Sequence, residues 1–268
     1  MRRDPLVFAL QVVVVAVLGF IVLPAVVVAI ASVNDKSILS FPPQEVSLRW
    51  FTRALTYRDF QQGMKNGAIV TAFASAIALV IGAAFAYVID RYTFRGKAFL
   101  EGTLMAPLIV PHFVVGLGFL TAAAQIGAAR TFTVVILCHV ILVLPFVIRS
   151  VLISLQNLDP RLERAAESLG ASPMRVLFTV TLPLLAPGIV CGWLFAAILS
   201  FNEFTASLFV TSHRTQTLPV AMYNYVREYA DPSMAALSVI FIAVTAALLT
   251  LANRYLGLSK VLNVEEPR

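Results

Sequence analysis

The charges in this sequence that call for a purpose fall in two places. The first is NLDPRLERAAESLGASPMRVLFTVTLPLLAP, residues 157–187. Asp159 followed by Pro160 is a helix start: a carboxylate accepts from orphan N–H groups, and proline suits the first helical position. Leu162, Ala165, Ala166 and Leu169 follow at i, i+3, i+4 and i+7 and make one apolar face. Gly170 supplies the stop at C′. Ser172 and Pro173 repeat the start signal for a second short helix, ended at Pro183 or bent there into the next segment. The polar face carries Arg161, Glu163, Arg164, Glu167 and Ser168. Glu163 and Glu167 are four apart and repel weakly on an isolated helix, a repulsion that a partner's cations would relieve. A short helix with one apolar face thus sits in a loop, held by Gly and Pro hinges at both ends.

The second place is Ser200-Phe201-Asn202-Glu203-Phe204-Thr205, inside an apolar run. An ionisable residue in a membrane-length segment is a functional hypothesis by default; a carboxylate that simply reaches interfacial water is the equal alternative. Asn202, His112 (which follows Pro111) and Tyr223 join Glu203 as candidate residues of a translocation path. Lone histidines such as His112 and His139 also read as satisfied members of a helical bundle. Residues for bond-making chemistry are missing. The sequence has no G-x-x-x-x-G-K-[ST] phosphate loop, no His/Cys/Asp/Glu set at metal-ligand spacing, and no nucleophile elbow or H-E-x-x-H. Cys138 and Cys191 lie in apolar segments and read as small packing hydrophobes. The expectation is a protein that is no enzyme and binds no cofactor or metal itself.

The elements that must position these residues are membrane spans. Of 268 residues, 59% are hydrophobic and only 13% charged, whereas soluble domains are roughly 45–50% apolar and about 25% charged. About 20 residues cross a bilayer core. Runs of that kind are expected at about 6–32, 66–89, 99–125, 132–153, 184–210 and 233–256, around the polar loop 157–183. The first run is too long for a signal-peptide core. In the second, Ala74, Ala78, Gly82 and Ala86 recur every four residues and allow close helix packing. The third holds Pro107, Pro111, Gly116 and Gly118, so it is kinked or interrupted. In the fifth, Glu203 lies roughly 28 Å along the helix from Leu184 at about 1.5 Å per residue, near the outer boundary. Trp50, Phe51, Tyr57 and Phe60 in the loop 33–65 suit the lipid interface. Tyr223, Tyr225 and Tyr229 give a short helix an aromatic face, and Asp231-Pro232 starts the last span.

The net charge is +6, dispersed, with no basic run; it reads as topology, not nucleic-acid binding. With the N-terminus inside, 12 of the 20 Lys/Arg residues fall on cytoplasmic segments. The short loop 91–98 holds three of them, against one near Arg130 in an outer turn. Both termini and the loop 157–183 are therefore expected in the cytoplasm.

ERAAESLGASPMRVLFTVTLP resembles the EAA loop of the permease subunits of binding-protein-dependent ABC importers. That pattern is Glu-Ala-Ala, three residues, Gly, nine residues, an aliphatic residue, one residue, then Leu-Pro; Ala165, Ala166, Gly170, Val180, Leu182 and Pro183 match it. The Glu directly before the Ala pair is Arg164 here, with the acid one residue earlier at Glu163. The resemblance implies an all-α membrane protein of type I importer design, with six transmembrane helices in one permease domain, 1–268, and a cytoplasmic coupling helix. Glu163, Arg164, Ala165, Ala166, Glu167, Leu169, Gly170 and Pro183 would then couple it to the ATPases. It also implies a homologous or identical second permease, two ATP-binding subunits that hold ATP and Mg, an extracytoplasmic solute-binding protein, and a place in the lipid of the bacterial inner membrane. LSFNEFTASLFVTSHRTQTLPVAMYNYV is similar to the matching region of spermidine/putrescine-type permeases, which implies a polyamine cargo; opine, phosphonate and ferric iron importers share much of it. A secondary transporter would show internal symmetry, and no convincing repeat is visible. A non-transporting scaffold would lack the interrupted helix and the intramembrane charge.

Overall fold

The computed structural model describes residues 5–36, 45–229 and 231–256. Arg2, Arg3, Pro42, Pro43 and the tail Lys260 to Arg268 lie outside the described residues. Apart from one isolated bridge, Asn34 with Val46, the described secondary structure is helical: α1 Pro5–Ser32, α2 Arg49–Thr56, α3 Arg58–Arg91, α4 Lys97–Met105, α5 His112–Gln125, α6 Phe132–Gln156, α7 Pro160–Ser168, α8 Pro173–Val176, α9 Leu182–Asn202, α10 Ser207–Val210, α11 Leu218–Glu228 and α12 Ser233–Leu256. The chain forms two compact units, residues 1–61 with 222–251 and residues 62–221 with 252–268.

In the first unit, α1 is apolar all round and exposed along nearly its whole length, as a helix in lipid must be. Trp50 and Phe60, read from the sequence as interfacial, are instead buried at 3% and 2% exposure. The indole Nε1–H of Trp50 donates to the Asn34 carbonyl at 2.6 Å, which fixes the turn after α1. Phe60 packs with Tyr57 and Tyr225 at ring separations of 4.9 Å each. Aromatic rings bury large areas in such edge and tilted pairs, and the phenol finds a partner because Tyr225 O–H donates to Asp231 at 2.8 Å.

The second unit is built on α6, the most deeply buried long helix among the described ones. The Ala74, Ala78 and Ala86 stripe of α3 is fully buried, and a Cβ on Gly82 would meet Val147 of α6 at 2.8 Å. A second stripe escaped the sequence reading: Gly188, Gly192, Ala196 and Ser200 of α9 are all buried. A Cβ on Gly188 would collide with Ser154, and Ser150 Oγ–H donates to the Gly188 carbonyl at 2.8 Å. Small residues let the two backbones approach, and serines join them.

Three segments depart from the expected bounds. α3 starts at Arg58, not near Asn66. Its 34 residues extend about 51 Å, longer than a bilayer core. The third apolar run is two helices, Lys97–Leu108 and His112–Gln125, bent by 102°. Pro111 has no N–H and an extended ψ of 135°, which ends one helix and starts the next. The fifth run is one helix from Pro173 to Asn202, not 184–210. Its start passes through a π-helical stretch, Leu177–Thr181, where Leu182 N–H reaches back to the Leu177 carbonyl. Pro183 cannot donate, and its ring crowds the carbonyl four residues earlier; the wider π turn relieves that conflict.

Candidate functional site: a tethered loop helix and a histidine–glutamate pair

The loop between α6 and α9 has the local design that its residues dictate. Asp159 accepts from Arg161 N–H at 2.9 Å, with Pro160 at the first position of α7. At the other end, Gly170 takes φ +87°. Its N–H donates to the Glu167 carbonyl at 2.8 Å, and that of Ala171 to the Ala166 carbonyl at 3.1 Å. This is a Schellman stop, which needs the left-handed residue that glycine supplies without strain.

The charges on α7 divide. Glu163 turns inward, its side chain only 15% exposed. Its Oε2 lies 2.7 Å from Arg91 Nη2 at the end of α3, and its Oε1 accepts from Thr181 Oγ1–H at 2.6 Å in the π stretch. The Arg91 N–H vectors miss the carboxylate, so this contact is an ion pair and not a directed hydrogen bond; Arg91 also faces Asp90 at 3.3 Å. A cation that offsets the Glu163–Glu167 repulsion is thus supplied within this chain. Sequence reasoning missed Arg91 and Thr181 as partners; the one available signal was a cation at the foot of a span.

Arg164, Ala165 and Glu167 are exposed, and Arg164 makes only a long bond from Nε to the Pro160 carbonyl, 3.4 Å. Leu162 and Leu169 are 47% and 89% exposed, while Ala166 is half-buried. The single apolar face expected from spacing is therefore split: Ala166 packs inward, and Leu162, Ala165 and Leu169 face outward. Pro183 is exposed in the first turn of α9.

The second group gathers where α9 ends. The sequence reading put Glu203 inside a span running to 210; it is instead the residue just after α9, with extended backbone. Its Oε1 accepts from Ala206 N–H at 2.7 Å, and its Oε2 lies 2.7 Å from His112 Nδ1 at the start of α5. With its proton on Nδ1, His112 donates to the Glu203 carboxyl group. His112 and Glu203 bound a cavity of about 50 Å³ that also reaches Leu142, Phe146, Ser200 and His139. His139 is fully buried, with Nδ1 2.9 Å from Ser200 Oγ and Nε2 2.8 Å from Ser207 Oγ. It is a satisfied bundle histidine that ties α6 to α9 and α10. Asn202 donates within its own helix to Ile198 at 2.8 Å. Tyr223 belongs to the other compact unit, with the Arg227 guanidinium 5.7 Å from its ring centroid. Of the four path residues, then, His112 and Glu203 meet and Asn202 is the neighbour of Glu203 in sequence. Among the described residues no set of His, Cys, Asp and Glu is gathered as a metal site.

The chain belongs to the binding-protein-dependent transport system inner membrane component family, which matches residues 91–258. It is 27% identical over 245 residues to the spermidine/putrescine transport system permease protein PotC of Escherichia coli strain K12, covering 91% of this chain and 92% of that one. It is 30% identical over 239 residues to the putrescine transport system permease protein PotI of the same strain, covering 86% and 85%. The fold is similar to that of a bacterial ABC transporter involved in the import of the acidic polysaccharide alginate, with a TM-score of 0.73 at 15% identity, over 95% of this chain and 98% of that one. The chain is thus an ABC importer permease subunit, a multi-pass protein of the bacterial inner membrane that is not itself an enzyme. Its family works with an ATPase and a substrate-binding protein.

Proposed function

We propose that this permease forms half of a pore for polyamines such as spermidine and putrescine. The observation that carries the cargo is the likeness, over most of both chains, to permeases named for spermidine/putrescine and putrescine transport. The pore pairs this chain with a second permease, homologous or identical. Two ATP-binding subunits lie on the cytoplasmic side, and a solute-binding protein lies outside. Both termini and α7 are cytoplasmic, in line with the Lys/Arg bias of the short loops.

In this reading α7 docks on an ATPase through Leu162, Ala165 and Leu169, with Arg164 and Glu167 at the rim. Glu163 and Ala166 hold it to the bundle, with Gly170 as its stop and Pro183 at the start of α9. Closure of the ATPases pulls α7, and the pull passes through Glu163 to Arg91 and Thr181, that is, to α3 and the start of α9. At the far end of α9, Glu203 with His112 and Asn202 marks the cargo path, and Tyr223 of the other compact unit keeps its candidate role. A cation about 4 Å from a carboxylate at an effective dielectric near 20 gains on the order of 4 kcal/mol before desolvation is subtracted.

Spermidine and putrescine uptake by the reconstituted importer tests this. The wild-type complex is expected to carry both. Glu203→Gln, which keeps size and removes charge, is expected to lower uptake with assembly and binding-protein affinity unchanged. A complex that carries neither polyamine overturns the cargo. Single cysteines at Leu48 and Ser168, in a background without Cys138 and Cys191, are expected to label from opposite sides of the membrane; labelling of both from outside overturns the topology.

A further inference from the structure

The geometry points to an acidic ATPase groove: α7 presents a cationic and apolar face, and its partner must offer carboxylates opposite Arg164 and Arg161. This rests on the reading of α7 as the ATPase-docking helix and assigns the sign of the contact.

The division of charge on α7 carries the inference. At about 3.6 residues per turn, Arg161, Arg164, Ala165 and Ser168 share the outward side, with Leu162 and Leu169 on its flank. All six are exposed. Glu163 projects to the opposite side, where Arg91 and Thr181 hold it. Asp159 is occupied as the helix cap, and Glu167 stands towards the edge of the outward side. The next exposed cation along the loop, Arg175, adds to the same sign, as do the apolar Met174 and Phe178, both 60% exposed or more. Among the described residues, none of Arg161, Arg164 and Arg175 is in an ion pair. A groove lined with cations would meet like charge at two positions of the outward side, a strong penalty at a desolvated contact. Glu163 is a positioning residue: it fixes α7 on the bundle and does not reach the partner.

The experiment uses the detergent-purified complex with its own ATPase and measures ATPase retained per permease and uptake after reconstitution. Arg161→Glu/Arg164→Glu is expected to lower retention at least about tenfold. Arg161→Lys/Arg164→Lys is expected to retain the ATPase, with a loss that grows with salt. Folding is not threatened, because both sites are exposed and an acid at position 161 suits the first turn of α7; an unchanged thermal midpoint of the permease alone checks this. Lys substitutions at the carboxylates of the ATPase groove are then expected to include one that restores binding to the Glu double variant. Retention by the Glu variant equal to or above wild type overturns the acidic groove. Leu169→Asp separates this from the docking reading: loss there together with normal retention by the Glu variant overturns only the charge assignment. Normal retention in both variants overturns docking as well.

Discussion

Arg91 and Glu163 close the base of the bundle across 72 positions of sequence, Nη2 to Oε2 at 2.7 Å. Arg91 ends α3, and Glu163 sits one turn into α7 on the side away from the exposed leucines. The pair ties the loop helix to the end of α3.

Glu163→Gln should loosen α7 and leave it folded. It keeps the Thr181 bond and removes the ion pair, and it leaves the largely buried Arg91 guanidinium with Asp90 as its counter-charge. For a pair between the exposed and buried limits, the loss is on the order of 1–2 kcal/mol. Hydrogen exchange is expected to quicken over residues 160–168 with α6 unchanged, and a double cycle with Arg91→Ala should show the two losses to be non-additive.

Gly170→Ala tests the backbone without a steric complication, because a Cβ there meets nothing within 4 Å. The left-handed φ alone should cost about 1–2 kcal/mol. Gly170→Asn should cost less, since Asn tolerates this region. Gly170→Pro cannot take a positive φ at all. Its complex is expected to hydrolyse ATP with uptake largely lost; normal uptake would remove Gly170 from the coupling assignment.

Gly188→Ala should destabilise the α6–α9 contact by about 1–3 kcal/mol through overpacking against Ser154. Gly118→Ala should have little effect, because nothing lies within 4 Å of its added Cβ. Pairing Gly188→Ala with Ser154→Gly should recover part of the thermal midpoint.

Acid should weaken the cluster around Asp231. Burial pushes its carboxyl pKa up, but hydrogen bonds from Ser233 and Tyr225 and the Arg53 charge outweigh burial and hold it below the ordinary value. The folded pKa lies below the unfolded one, so its stabilisation is full above the unfolded value, about 3.9, and is lost as pH falls through the folded pKa. Asp231→Asn should lower the thermal midpoint at pH 7 and flatten its decline below about pH 4.

The sequence by itself determined the elements and their breaks. Cap and stop signals act within a few residues, so Asp159, Pro160 and Gly170 bound α7 as their types require, and Pro111 and Pro183 mark the broken and widened turns. Small residues every four positions marked the packed face of α3, because a helix must bury its close-packing stripe. Only the tertiary structure decided the partners. The spacing of Glu163 and Glu167 suggested a shared need for an outside cation. Yet a side chain's direction depends on which helix lies against it, and Arg91, far off in sequence, claims Glu163 alone. Likewise Glu203 looked like a charge inside a span until the helix end at Asn202 released it to meet His112. Local rules place residues along the chain; a charge finds its counter-charge only where folding brings distant segments within a few ångströms.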